Sequence, residues 1–509
     1  MKNNIINNLN IKRFQQEPLF FLYTILDRKK RWGKQVEIIE SVRDNRNTIV
    51  KSCHGVGKTF SAKDVVLWFL YTHVPSIVLT TAPSWIQVEK LLWAEITSSW
   101  KNSLFPLGGK CLTTQIKIDD NHFAIGISPK IENEDEAKRL TGFHSPNLLV
   151  VFDEAAGVNE KLWKIKEALM TSANVRFLGI GNPISTQGSF YQMFQKSDVK
   201  KITMSIFDSP NFKANNVTSL EDIKELLLLE KTVRASELSK MKIVNPSLTT
   251  VRWVIERAEE WGIESPIFQA RVLGEFPEIA EDTIISYTVV EKCKYIEPNL
   301  KTHKILGVDV ARYGTDYTVM IGYENGRQIY KRKYAKKNLV YTTNQIIALI
   351  TQQNFKIIVI DDTGLGGGVT DNLFEFIANN ENYKDVNIIP INFAEKAYHE
   401  SEYDDIITEL YFNAKNMLED KKIRIEDEGT LIAELCNRKY KFTNKGKFKI
   451  ESKDDYKKRT GAKSPDEADA FVLCLWGIAL SKFDIITTEF DNIGEERLSA
   501  RMFNDEVKF

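Results

Sequence analysis

The 509-residue chain is short of the features that mark specialised protein classes. Its five cysteines, Cys53, Cys111, Cys293, Cys436 and Cys474, are odd in number, scattered and without a CxxC pair. That pattern argues against a disulfide framework and against a zinc site, and it suits a reducing compartment. There is no charge surplus either, since 69 Lys and Arg balance 69 Asp and Glu. Any nucleic-acid contact has to come from a local patch. No run approaches the roughly 20 apolar residues of a membrane span. The first ten residues are rich in Asn and lack the apolar core of a signal peptide. A soluble, intracellular protein with no membrane partner is expected. Internal repeats and low-complexity tracts are absent as well. What remains is ordinary globular composition, 43% hydrophobic and 27% charged, in a chain long enough for two to four units at roughly 150 residues each.

β-branched and apolar runs at 48–50, 76–81, 148–152 and 175–180 alternate with longer helical patterns, which reads as α/β with strands buried in a parallel sheet. The strand signal fades between about 207 and 281, where helical stretches at 220–231 and 250–262 take over. A second α/β series follows at 304–310, 317–323, 328–334 and 356–360 and closes on a helix over 465–480. The expected division is an N-terminal segment and first α/β core over 1–205, a helical subdomain and linker over 206–298, a second α/β domain over 299–483, and a charged tail over 484–509.

The first chemical constellation is Val50-Lys51-Ser52-Cys53-His54-Gly55-Val56-Gly57-Lys58-Thr59, after a strand and before a helix. Glycines in such a loop let backbone N–H groups turn towards phosphate oxygens, and the following helix presents its positive end. Lys58 is placed to reach the β and γ phosphates of ATP, and the Thr59 hydroxyl to bind Mg²⁺. Ser52 stands where the first Gly of GxxxxGK(S/T) belongs. Downstream, the apolar strand Leu148-Leu149-Val150-Val151-Phe152 ends in Asp153 and Glu154. Asp153 suits Mg²⁺ held through water, and Glu154 suits polarising the water that attacks the γ-phosphate. Trp32 and Gln35, one helix before the phosphate strand, suit packing on adenine and pairing with it. Asn182, in Gly181-Asn182-Pro183 at another strand end, suits sensing the γ-phosphate. Arg139 is a candidate arginine finger acting on a neighbour's phosphates.

The second constellation is acidic. Asp309 ends the first strand of the second series, Asp361 ends another, and Asp466 and Asp469 share a face of the last helix. Carboxylates in apolar surroundings are costly unless paired or metal-bound, and three such stations suit two Mg²⁺ or Mn²⁺ ions acting on a phosphodiester. Between them lies a basic stretch, 438–463, with eleven Lys or Arg against three Asp or Glu. Within it residues 440–450 alternate and turn at Asn444-Lys445-Gly446, predicting a hairpin whose Lys445, Lys447 and Lys449 face solvent and bind the phosphate backbone of DNA.

Taken in order, the phosphate loop, Val151-Phe152-Asp153-Glu154-Ala155, Gly181-Asn182-Pro183, Arg271-Val272-Leu273-Gly274-Glu275-Phe276-Pro277, Asp309, Asp361-Asp362-Thr363-Gly364-Leu365-Gly366 and Ser464-Pro465-Asp466-Glu467-Ala468-Asp469-Ala470 resemble the large terminase subunit of tailed bacteriophages over about residues 30 to 480. The resemblance implies an N-terminal P-loop ATPase of the ASCE type with a helical lid and linker, and a C-terminal nuclease of the ribonuclease H type. It implies an enzyme that drives double-stranded DNA into an empty procapsid and cuts the concatemer, with ATP and Mg²⁺ (or Mn²⁺ at the nuclease) as cofactors. The implied partners are DNA, the portal protein, the small terminase subunit and further copies in a ring. The implied location is the host bacterial cytoplasm, transiently at the portal and not in the mature virion. Similarity favours Asp469 over Asp466 as the metal ligand. The competing class is a helicase or DNA-remodelling ATPase fused to a nuclease, for which a second recA-like domain should follow Pro183. A capsid or scaffold component with inactive motifs is the non-enzymatic alternative.

Overall fold

The computed structural model describes residues 11–127, 140–171, 174–277, 282–311, 316–364 and 366–481. The chain divides into two compact units. Residues up to Ala258 group with 268–277, and residues 259–267 group with those from 282 onward.

In the first unit eight strands form one sheet. They are β1 (Asn47–Ser52), β2 (Ser76–Thr81), β3 (Lys110–Cys111), β4 (Gln115–Asp119), β5 (His122–Gly126), β6 (Asn147–Asp153), β7 (Asn174–Gly181) and β8 (Lys200–Met204), in the order β3-β4-β5-β2-β6-β7-β1-β8. From β5 to β8 all neighbours are parallel, whereas β3–β4 and β4–β5 are antiparallel. β2 and β6 are buried almost end to end, as expected of parallel strands covered on both faces, and that continuous apolar text made them readable. β3, β4, β5 and β8 are short or mixed in polarity, and the sequence reading does not contain them. Parallel pairing places the carboxyl ends of β1, β6 and β7 along one edge. The core beneath β6 and β7 is pinned by Phe152, Trp163 and Phe177, whose rings meet edge to face at 5.1–5.6 Å. The helix Lys58–Thr72 is buried at every residue from Ser61 to Thr72.

The helical stretch expected at 220–231 is two helices, Leu220–Leu228 and Lys231–Lys240. The break falls at Leu229 and Glu230, which adopt extended and near-extended backbone angles. Through Ala258 this region groups with the first sheet. Residues 282–298, assigned to a linker by sequence, are packed instead. Ile284, Ile285, Tyr287, Val290 and Cys293 are buried in the second unit, and Ile284 N–H donates to the Arg438 carbonyl.

The second unit holds a five-stranded sheet of β9 (Ile305–Asp309), β10 (Thr318–Glu324), β11 (Arg327–Tyr334), β12 (Ile357–Asp361) and β13 (Asn387–Ile391), ordered β11-β10-β9-β12-β13. β10 is antiparallel to β9 and β11, and β12 is parallel to β9 and β13. The helix Asp466–Ser481 is buried from Asp466 to Ala479 and packs on β9, β10 and β12. Two glycines permit that approach. A Cβ on Gly307 would lie 2.1 Å from the Ala470 carbonyl oxygen and 2.4 Å from Cys474 N, and one on Gly477 would lie 2.6 Å from Ile305 Cγ2. The described residues include no helix long and apolar enough to cross a membrane. All five cysteines are free thiols.

Because the Gly307 contact is against helix backbone, relief requires the helix to move. Gly307→Ala is expected to cost about 1–3 kcal/mol, read as lower protection of the second unit in hydrogen exchange with the first unit's protection unchanged. Equal protection in both proteins would show that the helix is not seated on this glycine.

Candidate active sites

In the first unit the loop between β1 and the helix Lys58–Thr72 turns through Gly55 and Gly57, at φ +65° and +80°, a region open to glycine at no steric cost. Gly57 is the N-cap residue, so Lys58 and Thr59 open the helix at its positive end. The loop is held on every side by backbone. Cys53 N–H donates to Met204 O at 3.0 Å, His54 N–H to Arg271 O at 2.7 Å, and Thr249 N–H to Gly55 O at 3.0 Å. Gly274, at φ +70°, comes so close that a Cβ there would lie 2.9 Å from Cys53 N. This accounts for the Arg271–Pro277 motif, which buttresses the phosphate loop and whose Glu275 pairs with Lys51. Only the residue types were visible in sequence, because the Arg271 contact is made by its carbonyl.

Five functional side chains from three strand ends then meet. Lys58 Nζ lies 2.9 Å from Asn182 Oδ1 and 2.9 Å from Glu154 Oε1. Thr59 Oγ1 donates to Asp153 Oδ2 at 3.1 Å, and Asn182 Nδ2 donates to Ser52 O at 2.6 Å. One strand, β7, separates the acidic strand β6 from the loop strand β1, and Asn182 leaves its end. Burial, together with the Glu154 charge, pushes the Asp153 carboxyl up to about 6, against the opposing pull of Lys58 and Thr59. Glu154 sits in the left-handed region at φ +46°, uncommon for a residue with a side chain. The buried Ser52 hydroxyl has no hydrogen-bond partner among the described residues. Burial raises the Cys53 thiol far above its usual range.

Trp32 and Gln35 reach the same loop, but through its carbonyls: Trp32 Nε1–H donates to Val56 O and Gln35 Nε2–H to Gly57 O, both at 3.3 Å. Trp32 also lines a cavity of about 310 Å³ with Lys34, Asp208 and Pro210. A network missed by sequence reading holds Trp32 in place. The Arg31 guanidinium binds Asp64 through Nε at 2.9 Å and Nη2 at 3.0 Å, and also binds Asp27. The Arg31 and Asp64 side chains are 4% and 0% exposed. Lys63 pairs with Asp64 at 3.1 Å, and its ammonium lies 3.5 Å from the centre of the Phe60 ring. Arg139, the candidate finger, lies outside the described residues.

In the second unit the β9–β12 register pairs Val308 with Ile360, so Asp309 and Asp361 end adjacent parallel strands. The first turn of the helix Asp466–Ser481 brings Asp466 and Asp469 to them, and all three other carboxylates act electrostatically on Asp309. Burial raises the Asp309 carboxyl well above its usual range; Lys453 opposes that rise, and Asp469, Asp466 and Asp361 add to it. Asp361 and Asp466 are raised as well, chiefly by burial. Lys453 is the cation of the group, 2.7 Å from Asp469 Oδ2. Burial would depress its ammonium, but Asp309, Asp469 and Asp361 override that and hold it raised. Tyr411 O–H donates to Asp469 Oδ1 at 2.7 Å, Tyr317 N–H to Asp466 Oδ2 at 2.8 Å, and Thr363 N–H to Asp361 Oδ1 at 2.8 Å. Asp469 is thus gripped by Tyr411 and Lys453, and Asp466 by backbone. As arranged here, no three His, Cys, Asp or Glu side chains among the described residues form a cage for one ion. The donor set is nevertheless all hard oxygen, and among the described residues one ammonium faces four carboxylates, a charge balance that a divalent cation would restore.

The predicted hairpin is present as β14 (Tyr440–Phe442) and β15 (Phe448–Ile450), antiparallel with Lys441 opposite Lys449. Lys445 is exposed, Lys447 is half-buried, and Lys449 Nζ is engaged 2.6 Å from Asp404 Oδ2. The three lysines are therefore not equivalent.

No family model matches the chain. The chain is 23% identical over 492 residues, 92% of its own length and 92% of the other's, to a protein of Enterobacteria phage P7 described as "Probable terminase, large subunit". Among solved structures it is similar to a large terminase from a thermophilic bacteriophage, with TM-score 0.38 and 13% identity, covering 89% of this chain and 100% of that one. It is also similar to the nuclease domain of the large terminase subunit gp2 of bacterial virus Sf6, with TM-score 0.33 and 16% identity, covering 38% of this chain and 98% of that one. The chain is thus similar over nearly its whole length to a protein described as a phage large terminase subunit.

Proposed function

We propose that the chain is the ATP-driven subunit of a phage DNA-packaging motor that also cuts the packaged DNA. The observation that carries this reading is the pairing, on one chain, of a phosphate loop facing Asp153 and Glu154 with a second sheet whose strand ends gather four carboxylates. The helicase alternative needs a second recA-like sheet. The second sheet here has antiparallel β9, β10 and β11, which does not suit that role.

In the ATPase, the loop N–H groups and Lys58 receive the phosphates, Thr59 and Asp153 would hold Mg²⁺, and Glu154 orients water at the γ-phosphate. Bound Mg²⁺ neutralises developing phosphate charge. Lys58 has to leave Glu154 and Asn182 to meet the nucleotide, so phosphate arrival frees both. Trp32 and the cavity it lines offer a face for the base. In the nuclease, Asp309, Asp361 and Asp469 would hold Mg²⁺ or Mn²⁺, with Asp466 in a supporting place. Such ions supply an activated water and stabilise the leaving oxygen. Lys445 and Lys447 meet the DNA backbone. Arg139 acts on a neighbouring copy's phosphates, which requires a ring of copies. The remaining partners are the portal protein and the small terminase subunit, met in the host cytoplasm at the procapsid. Packaging of DNA into purified empty capsids with ATP tests the whole reading, and failure with active protein would overturn it.

Lys58→Ala and Glu154→Gln should each lower ATP turnover by about a hundredfold or more, while Glu154→Gln still binds nucleotide in a fluorescence titration. Near-normal hydrolysis by Glu154→Gln would remove its role.

Asp309→Ala, Asp361→Ala and Asp469→Ala should each eliminate metal-dependent nicking of plasmid DNA and leave ATP hydrolysis intact, with Asp466→Ala milder. If Asp466→Ala is the more damaging of the helix pair, the ligand roles are exchanged.

Replacing Lys445 and Lys447 by alanine should lower the slope of log affinity against log salt by up to about 0.9 for each. Lys449→Ala should change it less, because Asp404 already neutralises Lys449. An unmoved slope in the double variant would place the DNA path elsewhere.

A further inference from the structure

The hairpin carries a second feature that the lysines do not explain. Phe442, at the end of β14 nearest the turn, is 61% exposed. The strand pairing puts Tyr440, Phe442, Phe448 and Ile450 on one face, with Tyr440 opposite Ile450 and Phe442 opposite Phe448. At the base of the hairpin that face is absorbed into the unit, since Ile450 is buried and Phe448 stands 4.7 Å from Phe412. At the tip it is not. Phe442 rests on Phe448 at 4.8 Å and Tyr440 at 5.8 Å, and the chain of rings continues inward from Phe448 to Phe412 and Tyr403. An exposed ring is thus braced by two others, Tyr440 and Phe448, and Phe448 in turn by Phe412, which fixes its position at little further entropic cost.

The surroundings of this ring select its partner. Lys441 precedes it and Lys445 lies in the turn beyond it. Both are exposed, and neither has a carboxylate within ion-pair distance among the described residues. An aromatic tip with one exposed lysine in its turn, and another on the opposite face of the hairpin, suits a polyanion that carries flat apolar groups, which is the chemistry of nucleic acid. The hairpin is also short. From Phe448, opposite Phe442, to Lys453 at the carboxylates is five residues, at most about 17 Å of extended chain or about five base pairs of B-DNA.

We infer that Phe442 is a base-contacting wedge: it stacks on a base of double-stranded DNA beside the carboxylate site and unstacks that step, while Lys445, in the turn, holds a flanking phosphate. This inference rests on the nuclease reading and adds a contact to the bases themselves. Opening a step has an energetic cost that stacking on the ring offsets. The contact is therefore tolerant of sequence, and it matters least where the DNA is already distorted.

The test uses the full chain with Mn²⁺ and short duplexes carrying 2-aminopurine, either fully paired or with one mismatch beside the probe. Wild type should raise probe fluorescence on binding the paired duplex and cut it. Phe442→Ala should abolish the fluorescence rise and slow cutting of paired DNA about tenfold. It should cut mismatched DNA within about twofold of wild type and keep the salt slope of binding. Phe442→Trp should retain both the rise and the cutting. Because the ring is exposed, the alanine variant should melt at the wild-type temperature. Equal loss on paired and mismatched DNA, or a wild type that cuts normally with a silent probe, would overturn the wedge alone. A wild type that neither binds nor cuts DNA would overturn the nuclease reading and the wedge with it. If Phe442 serves a protein surface instead, every DNA measurement would be unmoved by the alanine variant, which also overturns the inference.

Discussion

Charge taken out of water has to be compensated where it lies, and in each unit one lysine meets the carboxylates gathered at the strand ends. Lys58 sits against Glu154 and beside Asp153, and Lys453 sits against Asp469 among three further aspartates. The balance is incomplete in both places, since burial and mutual repulsion raise Asp153 and Asp309 despite the neighbouring ammonium. Groups held in that condition respond strongly to an added ion or phosphate. The scaffold around them is tied by backbone hydrogen bonds in one unit and by close helix–sheet packing in the other.

Rigidity comes from different sources in the two places. The phosphate loop is held by backbone carbonyls and amides from Met204, Arg271 and Thr249 and by the side chains of Trp32 and Gln35. Arg31, fixed by Asp64 and Asp27, anchors the segment that carries Trp32. Its guanidinium is too deeply buried to be screened by salt as a surface pair is. The carboxylate site instead depends on close packing, with one apolar helix pressed onto a sheet through Gly307 and Gly477. An error of packing there displaces two aspartates together.

Much of this was legible in the sequence. A strand buried on both faces is a continuous apolar run, so β1, β2, β6, β7, β9 and β12 could be read directly, and so could the charged residues at which several of them stop. The antiparallel strands β4 and β5 are short and joined by a tight turn, and their signal is weaker. Contacts between distant residues were not legible. Arg31 and Asp64 lie 33 residues apart, and Tyr411 and Asp469 lie 58 apart. Lys453 was visible only as one more cation in a basic stretch, and nothing local distinguishes an ammonium facing carboxylates from one facing solvent. Gln35 shows the converse: its residue type suited a base, whereas in the fold its amide donates to Gly57.

Glu154 occupies a backbone conformation at φ +46°, ψ +46° that glycine or asparagine adopts with less strain. At such a position selection for folding and selection for chemistry pull in opposite directions, and the fold alone would favour losing the side chain. On the proposed function, a lineage released from the need to hydrolyse nucleotide would drift towards glycine here while keeping its strands and its loop. Glu154 is, on that same proposed function, the position whose loss would separate folding from hydrolysis, since the phosphate loop also has a packing role to preserve.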